Sequence, residues 1–261
     1  MNLDRIIIGT SQWGSKIDYK KSIKIGSEIV KLGIYNFDTA PNYGLGYAHK
    51  ILNNLNTNKK IIVNTKVGQR MKLNFRELLL RLYRFNGINS YISSNHYLFK
   101  YSYQTYRKSF WKISSIKKEY ESFNKTLINC DKQIFFLHSP PNEILTLENL
   151  KAFKKFCDDN KLIPGLTGVD DTSLNSLINK MQGFCFQLSL NQYLRFENKI
   201  QNQSQKIHIA KIFKNNSDQE KIKKKENYLK SVFEYFNHKT NVKLILGINS
   251  YNSLEKLINN L

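Results

Sequence analysis

The chain has 261 residues, of which 41% are hydrophobic and 13% aromatic, and it carries a formal net charge of +21. This length suffices for one well-buried core, and no apolar run approaches the ~20 residues of a membrane span, which excludes a membrane-spanning protein. The charge is concentrated in residues 70–132 and 206–243 and favours an anionic partner (a phosphorylated substrate, a nucleotide, nucleic acid or an acidic membrane), although compositional bias explains it more simply.

Eight short runs rich in apolar, β-branched and aromatic residues predict eight β-strands, and helix-period segments lie between most of them. In chain order the predicted strands are residues 5–9, 34–38, 60–66, 133–138, 164–169, 184–190, 206–213 and 242–247. The predicted helices are residues 20–32, 44–55, 116–127, 146–156, 172–181, 218–236 and 250–261. The segment 192–205 is polar and short and gives no clear helical pattern.

Strand and helix alternate eight times over about 250 residues, which is typical of a (β/α)8 barrel, the TIM-barrel type of α/β fold. No internal sequence repeat and no linker rich in Pro, Gly or Ser interrupts the alternation, so we predict a single domain over residues 1–261. Barrels of this type carry their chemistry at the C-terminal ends of the strands. Polar residues at those ends are therefore the first candidates for a site.

The connection after the third predicted strand, at about 70–115, is an aromatic-rich insertion several times longer than an ordinary loop of a barrel. Residues 74–84 have the pattern of an extra helix, and residues 83–111 contain ten aromatic side chains. Because such a loop lies on the active-site face, the insertion predicts a lid or a substrate-stacking wall, or else a surface that packs on the extra helix or on a second subunit. The basic and aromatic segment 83–118 also fits a binder of single-stranded nucleic acid, which is the weakest of these hypotheses.

The three cysteines, Cys130, Cys157 and Cys185, are odd in number and have no C-x-x-C spacing. They predict small buried residues in a reducing compartment, and neither a disulfide framework nor a zinc site. The N-terminal residues run directly into the apolar stretch 6–9, which is far too short for the core of a signal peptide, so no secretion signal is predicted. We therefore expect a cytoplasmic protein without a bound metal.

Four side chains that can handle protons stand at or just beyond the ends of consecutive predicted strands. They are Asp38 after the second strand, Tyr43 in the loop that follows it, Lys66 at the end of the third strand and His138 at the end of the fourth. Each one alone has an ordinary structural explanation, because tyrosines pack, lysines lie on surfaces and histidines form satisfied hydrogen bonds. The four together, at strand ends that converge on one pocket, indicate an enzyme.

The four residue types suit the reduction of a carbonyl, which needs a hydride at carbon and a proton at oxygen. An ordinary tyrosine, with a pKa of about 10, gives its proton reluctantly. A neighbouring ammonium such as that of Lys66 lowers that pKa, and a carboxylate such as Asp38 holds the ammonium in place. A neutral imidazole at His138 can orient the substrate oxygen. Tyr43 is thus the candidate proton donor.

The segment 37–44, Phe-Asp-Thr-Ala-Pro-Asn-Tyr-Gly, resembles the characteristic motif of the aldo-keto reductase family. The resemblance spans nearly the whole chain except the aromatic insertion and the region around 192–205. Other similar segments are 9–14 (Gly-Thr-Ser-Gln-Trp-Gly), 63–68 (Val-Asn-Thr-Lys-Val-Gly), 121–127 and 136–140 (Phe-Leu-His-Ser-Pro). The family resemblance implies a (β/α)8 barrel and an oxidoreductase that reduces an aldehyde or ketone with NAD(P)H.

The resemblance also implies a role for each catalytic candidate. Tyr43 would be the general acid, Lys66 and Asp38 the pair that tunes it, and His138 the residue that orients the substrate. The cofactor contacts that it implies are Thr10, Asp170, Gln187, Phe213, Gly247 and Ser250.

Some of these positions depart from the family pattern. Asp170 stands where the family commonly has Ser, and Asn249 and Ser253 stand where it commonly has basic residues for the adenosine 2′-phosphate. NADP(H) is the expected cofactor, with NAD(H) as the alternative.

Two functions from different classes follow. The leading hypothesis is a reductase of a small-molecule carbonyl compound, and the aromatic insertion and the positive charge suggest a sugar or phosphosugar. The alternative is a catalytically impaired, reductase-like barrel that serves as a cofactor-sensing or scaffold subunit, which the altered phosphate-binding residues suggest. The sequence leaves the oligomeric state open.

Overall fold

The computed structural model describes residues 3–69, 111–200, 205–212, 221–248, 250, 253 and 255. Eight parallel strands close into a barrel in which each strand pairs with its neighbours in chain order and the eighth pairs with the first. This confirms the predicted (β/α)8 barrel. The strands are β1 Ile6–Gly9, β2 Asn36–Asp38, β3 Ile61–Val67, β4 Cys130–His138, β5 Ile163–Thr167, β6 Cys185–Ser189, β7 Ile207–Ala210 and β8 Val242–Gly247.

Helices follow the strands as the alternation predicts. In the described residues they are α1 Tyr19–Lys31, α2 Ala48–Asn53, α3 Ile113–Thr126, α4 Leu147–Asp159, α5 Asp171–Leu177, α6 Leu190–Ile200 and α7 Lys221–Phe236, with short 3-10 helices at Leu3–Arg5, Tyr43–Gly46 and Asn142–Ile144. Residues 253 and 255 are also helical. Within the ranges that the structure covers, no helix has the length and apolar character to cross a membrane.

The predicted helix 44–55 is not continuous. A 3-10 turn, Tyr43–Gly46, precedes α2, and the two glycines of the turn, Gly44 and Gly46, have φ of 57° and 83°. Positive φ is disfavoured in a right-handed helix, so the glycines separate the turn from α2. The break places Tyr43 at the start of the turn, before the helix.

The segment around 192–205 forms a helix, α6, over most of its length. Its buried residues Leu190, Tyr193 and Ile200 recur at helical spacing, and the polar side chains between them lie mainly on the outer face. A narrow apolar stripe is enough to bind a helix to the barrel, and that stripe was hidden by the high polar content of the segment.

The barrel buries two apolar layers. Outward-facing strand residues pack against the helices in one large cluster, whereas a small second cluster, Ile134, Phe136 and Cys185, fills part of the barrel interior. The three cysteines are free and buried, as predicted. Because side chains alternate along a strand, the residues that share the inner face with Phe136 include several polar ones. Those polar residues are Asn36, Asp38, Asn64, Lys66, Gln187 and His208.

The two ends of the predicted insertion meet at the C-terminal end of β3. Gly68 has φ of 99°, and a Cβ on it would lie 2.1 Å from the ring of Trp111, so the indole packs directly against the glycine. Gly68 N also donates a hydrogen bond to Glu119 Oε2 of α3 at 3.2 Å. The insertion therefore leaves and rejoins the barrel beside the strand that carries Lys66. The predicted extra helix, lid or aromatic wall falls on residues 70–110, which lie outside the described residues.

Candidate active site

An ion pair buried at the C-terminal end of the barrel joins β2 and β3. Lys66 Nζ lies 2.5 Å from Asp38 Oδ1 and donates a second hydrogen bond to Thr39 O at 3.3 Å. The two side chains are only 1% and 4% exposed. Burial raises the pKa of Asp38 and lowers that of Lys66, and the attraction between the two charges opposes both shifts. A pair so deeply buried is costly unless both partners are present.

Tyr43 and His138 face each other above this pair. The Lys66 ammonium lies 5.0 Å from the centre of the Tyr43 ring, and the rings of Tyr43 and His138 meet edge to face with centroids 6.1 Å apart. Both residues are partly exposed, so a ligand can reach them from the mouth of the barrel. The structure thus brings the four predicted catalytic residues together around one space.

The backbone of Tyr43 is held by the loop after β1. Gly44, the next residue, lies directly against the carbonyl of Trp13, since a Cβ on Gly44 would come within 1.6 Å of that oxygen. Trp13 is itself fully buried, with its ring against Gly26 of α1 and edge to face with Phe37. The loop after β1, which carries Trp13, therefore fixes the position at which the Tyr43–Gly46 turn begins.

Replacing Gly44 with Ala is expected to lower turnover strongly, because the new methyl group collides with backbone and the residue keeps a strained positive φ. The displaced turn moves the ring of Tyr43 away from Lys66. Steady-state kinetics should show a loss of at least about tenfold in kcat, since catalytic geometry is sensitive to shifts of about 1 Å. Gly33→Ala is the matched control: its φ is also positive, 86°, but no other residue in the described ranges lies within 4 Å of the added methyl. Equal activity losses in the two variants would contradict this explanation.

The environment of His138 keeps its imidazole neutral. Burial, followed by the positive charges of Lys66 and Lys211, lowers the pKa of His138 to about 3. Its Nδ1 is buried and has no hydrogen-bond partner within the described part of the chain. A neutral imidazole can hydrogen-bond a substrate oxygen without competing with Tyr43 as a strong acid.

Buried neutral histidines should make stability depend on pH. Burial is also the main cause that lowers the pKa of His49 to about 4 and that of His208 to about 3. Both pKa values lie below the value of about 6.5 in the unfolded chain. Below pH 6.5 the histidines take up protons in the unfolded chain but not in the folded protein, so the free energy of unfolding decreases as pH falls towards 4. We expect the urea-unfolding free energy to fall between pH 7.5 and 5, by roughly 2 kcal/mol for His208 alone.

The histidine contribution can be separated from that of the carboxylates. A His208→Phe protein should lose less stability over this range of pH than the parent, whereas substitution of the exposed His238 by Gln should leave the pH dependence as it is. The same loss of stability in the His208→Phe protein as in the parent would contradict the prediction.

Of the residues to which the resemblance assigns cofactor contacts, Thr10 and Gln187 contact Asp38, and Gly247 lies two strands away on β8. Thr10 donates to Asp38 O through both its N, at 3.0 Å, and its Oγ1, at 3.1 Å. Gln187 Nε2 reaches across the barrel to Asp38 Oδ1 at 3.4 Å. Gly247 pairs with Gly9 at the end of β1, and no atom of another described residue lies within 4 Å of the position of a Cβ on it.

The remaining cofactor candidates lie farther out. Asp170 is exposed and caps α5, accepting a hydrogen bond from Ser173 N at 2.9 Å, and this bond is the main cause that lowers the pKa of its carboxyl. Ser250 Oγ accepts from Ser253 N at 3.3 Å, which is the bonding of a helix cap. Phe213 lies outside the described residues.

His208, on the inner face of β7, is a site residue that the sequence analysis did not select. Its ring lies 5.9 Å from that of Phe136 across the barrel and is 2% exposed. A histidine in the middle of an apolar strand carries no motif, and only the closed barrel brings it against Phe136 and beside Gln187. The available signal was its position in the strand, two residues before the end of β7 and on the face that points inward.

Comparison with known proteins agrees with the family resemblance found in the sequence. The model of the aldo/keto reductase family matches residues 5–161, more than half of the chain. No curated protein matches the sequence.

Three similar solved structures align with almost the whole chain. Their sequence identity to it is low, so the similarity shows a shared fold. An aldo-keto reductase of Bacillus halodurans, in its holo form, has a TM-score of 0.70 at 14% identity and covers 98% of this chain and 86% of that one. The glycerol dehydrogenase of Gluconobacter oxydans has a TM-score of 0.63 at 14% identity, with 97% and 85% covered. An aldo-keto reductase of Klebsiella pneumoniae in complex with NADPH has a TM-score of 0.63 at 12% identity, with 98% and 84% covered.

Proposed function

The chain belongs to the aldo/keto reductase family of oxidoreductases, and on that premise we propose that its single barrel domain reduces an aldehyde or ketone with NADPH, using Tyr43 as general acid. The observation that carries the proposal is the convergence of the Tyr43 ring, the Lys66 ammonium and the His138 ring above the buried Asp38 carboxylate. In this arrangement a proton donor, the group that tunes it and a hydrogen-bonding imidazole all face one space.

The roles follow from charge and distance. Lys66 lies close enough to the Tyr43 ring to stabilise the phenolate left after proton transfer, and Asp38 holds the ammonium in position. His138, neutral because its pKa is lowered to about 3, orients the carbonyl oxygen towards the tyrosine hydroxyl. As negative charge develops on the substrate oxygen, Tyr43 protonates that oxygen.

The residues present fit a nicotinamide dinucleotide. NADPH, when bound, supplies the hydride that the carbonyl carbon receives. No other described residue lies close to the Cβ position of Gly247, so a phosphate would find room there among those residues, and Ser250 lies three residues beyond it at a helix start. Gln187 faces the barrel interior beside Asp38, and Thr10 and Phe213 complete the proposed contacts. The ionised Asp170 takes the place of a serine and can accept a hydrogen bond from an amide.

The polar surroundings of Tyr43 support a hydroxylated substrate such as a sugar. Asn42 occupies the N-cap position of the Tyr43–Gly46 turn, yet its side chain does not cap the turn. Instead Asn42 Nδ2 donates to Gln69 Oε1 at 3.3 Å, which places two amides beside the proton donor. An amide pair binds hydroxyl groups better than it binds alkyl chains. The positive charge of the chain extends the proposal to phosphosugars.

The experiment that tests the proposed function has two steps. Fluorescence titration of the protein with NADPH and with NADH should show binding, tighter for NADPH. Consumption of the bound cofactor is then followed against a panel of sugars, phosphosugars and simple aldehydes. Turnover with a carbonyl compound supports a reductase. Binding without turnover would support the alternative of a cofactor-sensing subunit, and failure to bind either cofactor would favour a scaffold.

A further inference from the structure

The inner faces of β6 and β7 place two polar side chains side by side. Gln187 and His208 are register partners in the parallel ladder, so their backbones are immediate neighbours. Both side chains point into the barrel: Gln187 reaches Asp38, and the His208 ring lies against Phe136. They are 8% and 2% exposed. Two polar side chains thus lie next to each other in the barrel interior, and one of them contacts the Asp38–Lys66 pair.

Each of these neighbours has one polar atom whose hydrogen bond no other described residue supplies. Gln187 Oε1 and His208 Nδ1 are both buried without a protein partner in the described ranges. Buried polar groups are nearly always hydrogen-bonded, to protein or to a bound water, because an unpaired one costs about 1–3 kcal/mol. The register pairing makes the two atoms candidates to satisfy each other.

We propose that His208 is a positioning residue for the catalytic pair, acting through Gln187. Its Nδ1 holds the Gln187 amide, directly or through one bound water, in the orientation that turns Nε2 towards Asp38. Gln187 then donates to the carboxylate that anchors Lys66, and Lys66 lies below the Tyr43 ring. The resulting chain of contacts runs from β7 to the proton donor.

The orientation of the Gln187 amide decides the sign of its effect on Asp38. With Nε2 towards Oδ1, the amide donates to the carboxylate and favours its ionised form, which is one of the causes that oppose the raised pKa of Asp38. The flipped amide would place an oxygen against the carboxylate and repel it. A histidine whose Nδ1 carries the proton donates to the amide oxygen and so selects the first orientation. Burial and the nearby lysines lower the pKa of His208 to about 3 and so keep it neutral.

The proposal can be tested on the protein without cofactor or substrate. In protein labelled with ¹⁵N at histidine, Gln187→Leu should shift the Nδ1 resonance of His208 and leave that of the buried His49 unchanged. Reciprocally, in protein labelled at glutamine, His208→Phe should shift the side-chain amide resonance of Gln187. Unchanged resonances in both folded variants would overturn the proposal. This test stands whether or not the proposed function is correct.

A kinetic test rests on the proposed function and uses a double-mutant cycle. His208→Phe keeps the ring and should lower kcat by about fivefold to tenfold, the value of one hydrogen bond, and shift the pH profile of kcat. His208→Asn, whose amide can replace Nδ1, should restore much of the loss. In a Gln187→Leu background the same His208→Phe change should cost less than about twofold.

The control for packing is Cys185→Ala, a buried change on the same strand as Gln187. It should lower stability without moving the pH profile. An equal loss of kcat from His208→Phe in both backgrounds, or a pH profile unchanged from the parent, would overturn the proposal. Absence of turnover in the parent protein would instead refute the proposed function and leave the magnetic-resonance result to decide.

Discussion

Replacing Tyr43 with Phe is expected to lower turnover by about 10²–10⁴-fold, the usual contribution of a positioned general acid. The change removes one hydroxyl and keeps the ring that lies above Lys66 and beside His138. Packing and the cofactor site are therefore preserved, and the dissociation constant for NADPH should change by no more than about twofold. Steady-state kinetics and a fluorescence titration measure the two quantities.

Tyr47 offers a matched control for the tyrosine substitution. It follows the same turn and packs edge to face with Tyr19, away from the ion pair. Tyr47→Phe should leave kcat within about twofold of the parent value, as expected for a change outside the site. Turnover of the Tyr43→Phe protein close to that of the parent would refute Tyr43 as the proton donor.

Substituting Asp38 by Asn is expected to destabilise the protein by about 3–5 kcal/mol, because the buried Lys66 ammonium loses its only carboxylate among the contacts described. The change should also lower kcat, since an unanchored Lys66 no longer holds its charge near Tyr43. Urea unfolding gives the change in free energy, and kinetics below the unfolding transition give kcat.

Two further variants test the origin of this loss. The exposed pair Lys154–Asp158 on α4 is a control, and Asp158→Asn should cost no more than about 1 kcal/mol. The double substitution Asp38→Asn with Lys66→Met removes both charges and should unfold less readily than Asp38→Asn alone. If Asp38→Asn lowered the free energy of unfolding by as little as Asp158→Asn does, the buried ion pair could not be a stabilising contact.

The barrel could be predicted from sequence because its signals are local. Short apolar runs alternate with helix-period segments, and each needs only its own few residues to be recognised. The structure differs from the predicted elements at two places, and each difference has a local physical cause that the apolar pattern did not reveal. Gly44 and Gly46 break the predicted helix 44–55 through positive φ, and α6 binds the barrel by the narrow apolar stripe of Leu190, Tyr193 and Ile200.

The candidate site could be predicted in part for the same reason. Asp38 and His138 end their strands and Lys66 lies one residue before the end of β3, and strand ends of a barrel converge. The contacts that hold the site are long-range: Gln187 lies 149 residues from Asp38 in sequence. The inward position of His208 and the contact of Gly44 with Trp13 depend on barrel closure and loop packing, which no sequence period encodes.

The most direct measurement of the central claim follows the transferred hydrogen. NADPH carrying deuterium at its transferable position is incubated with the protein and a carbonyl compound from the panel, and the alcohol product is analysed by mass spectrometry. We predict deuterium on the former carbonyl carbon, at a rate that falls by about 10²–10⁴-fold in the Tyr43→Phe protein. Product without deuterium, or equal rates in the two proteins, would contradict a reductase that uses Tyr43 as its proton donor.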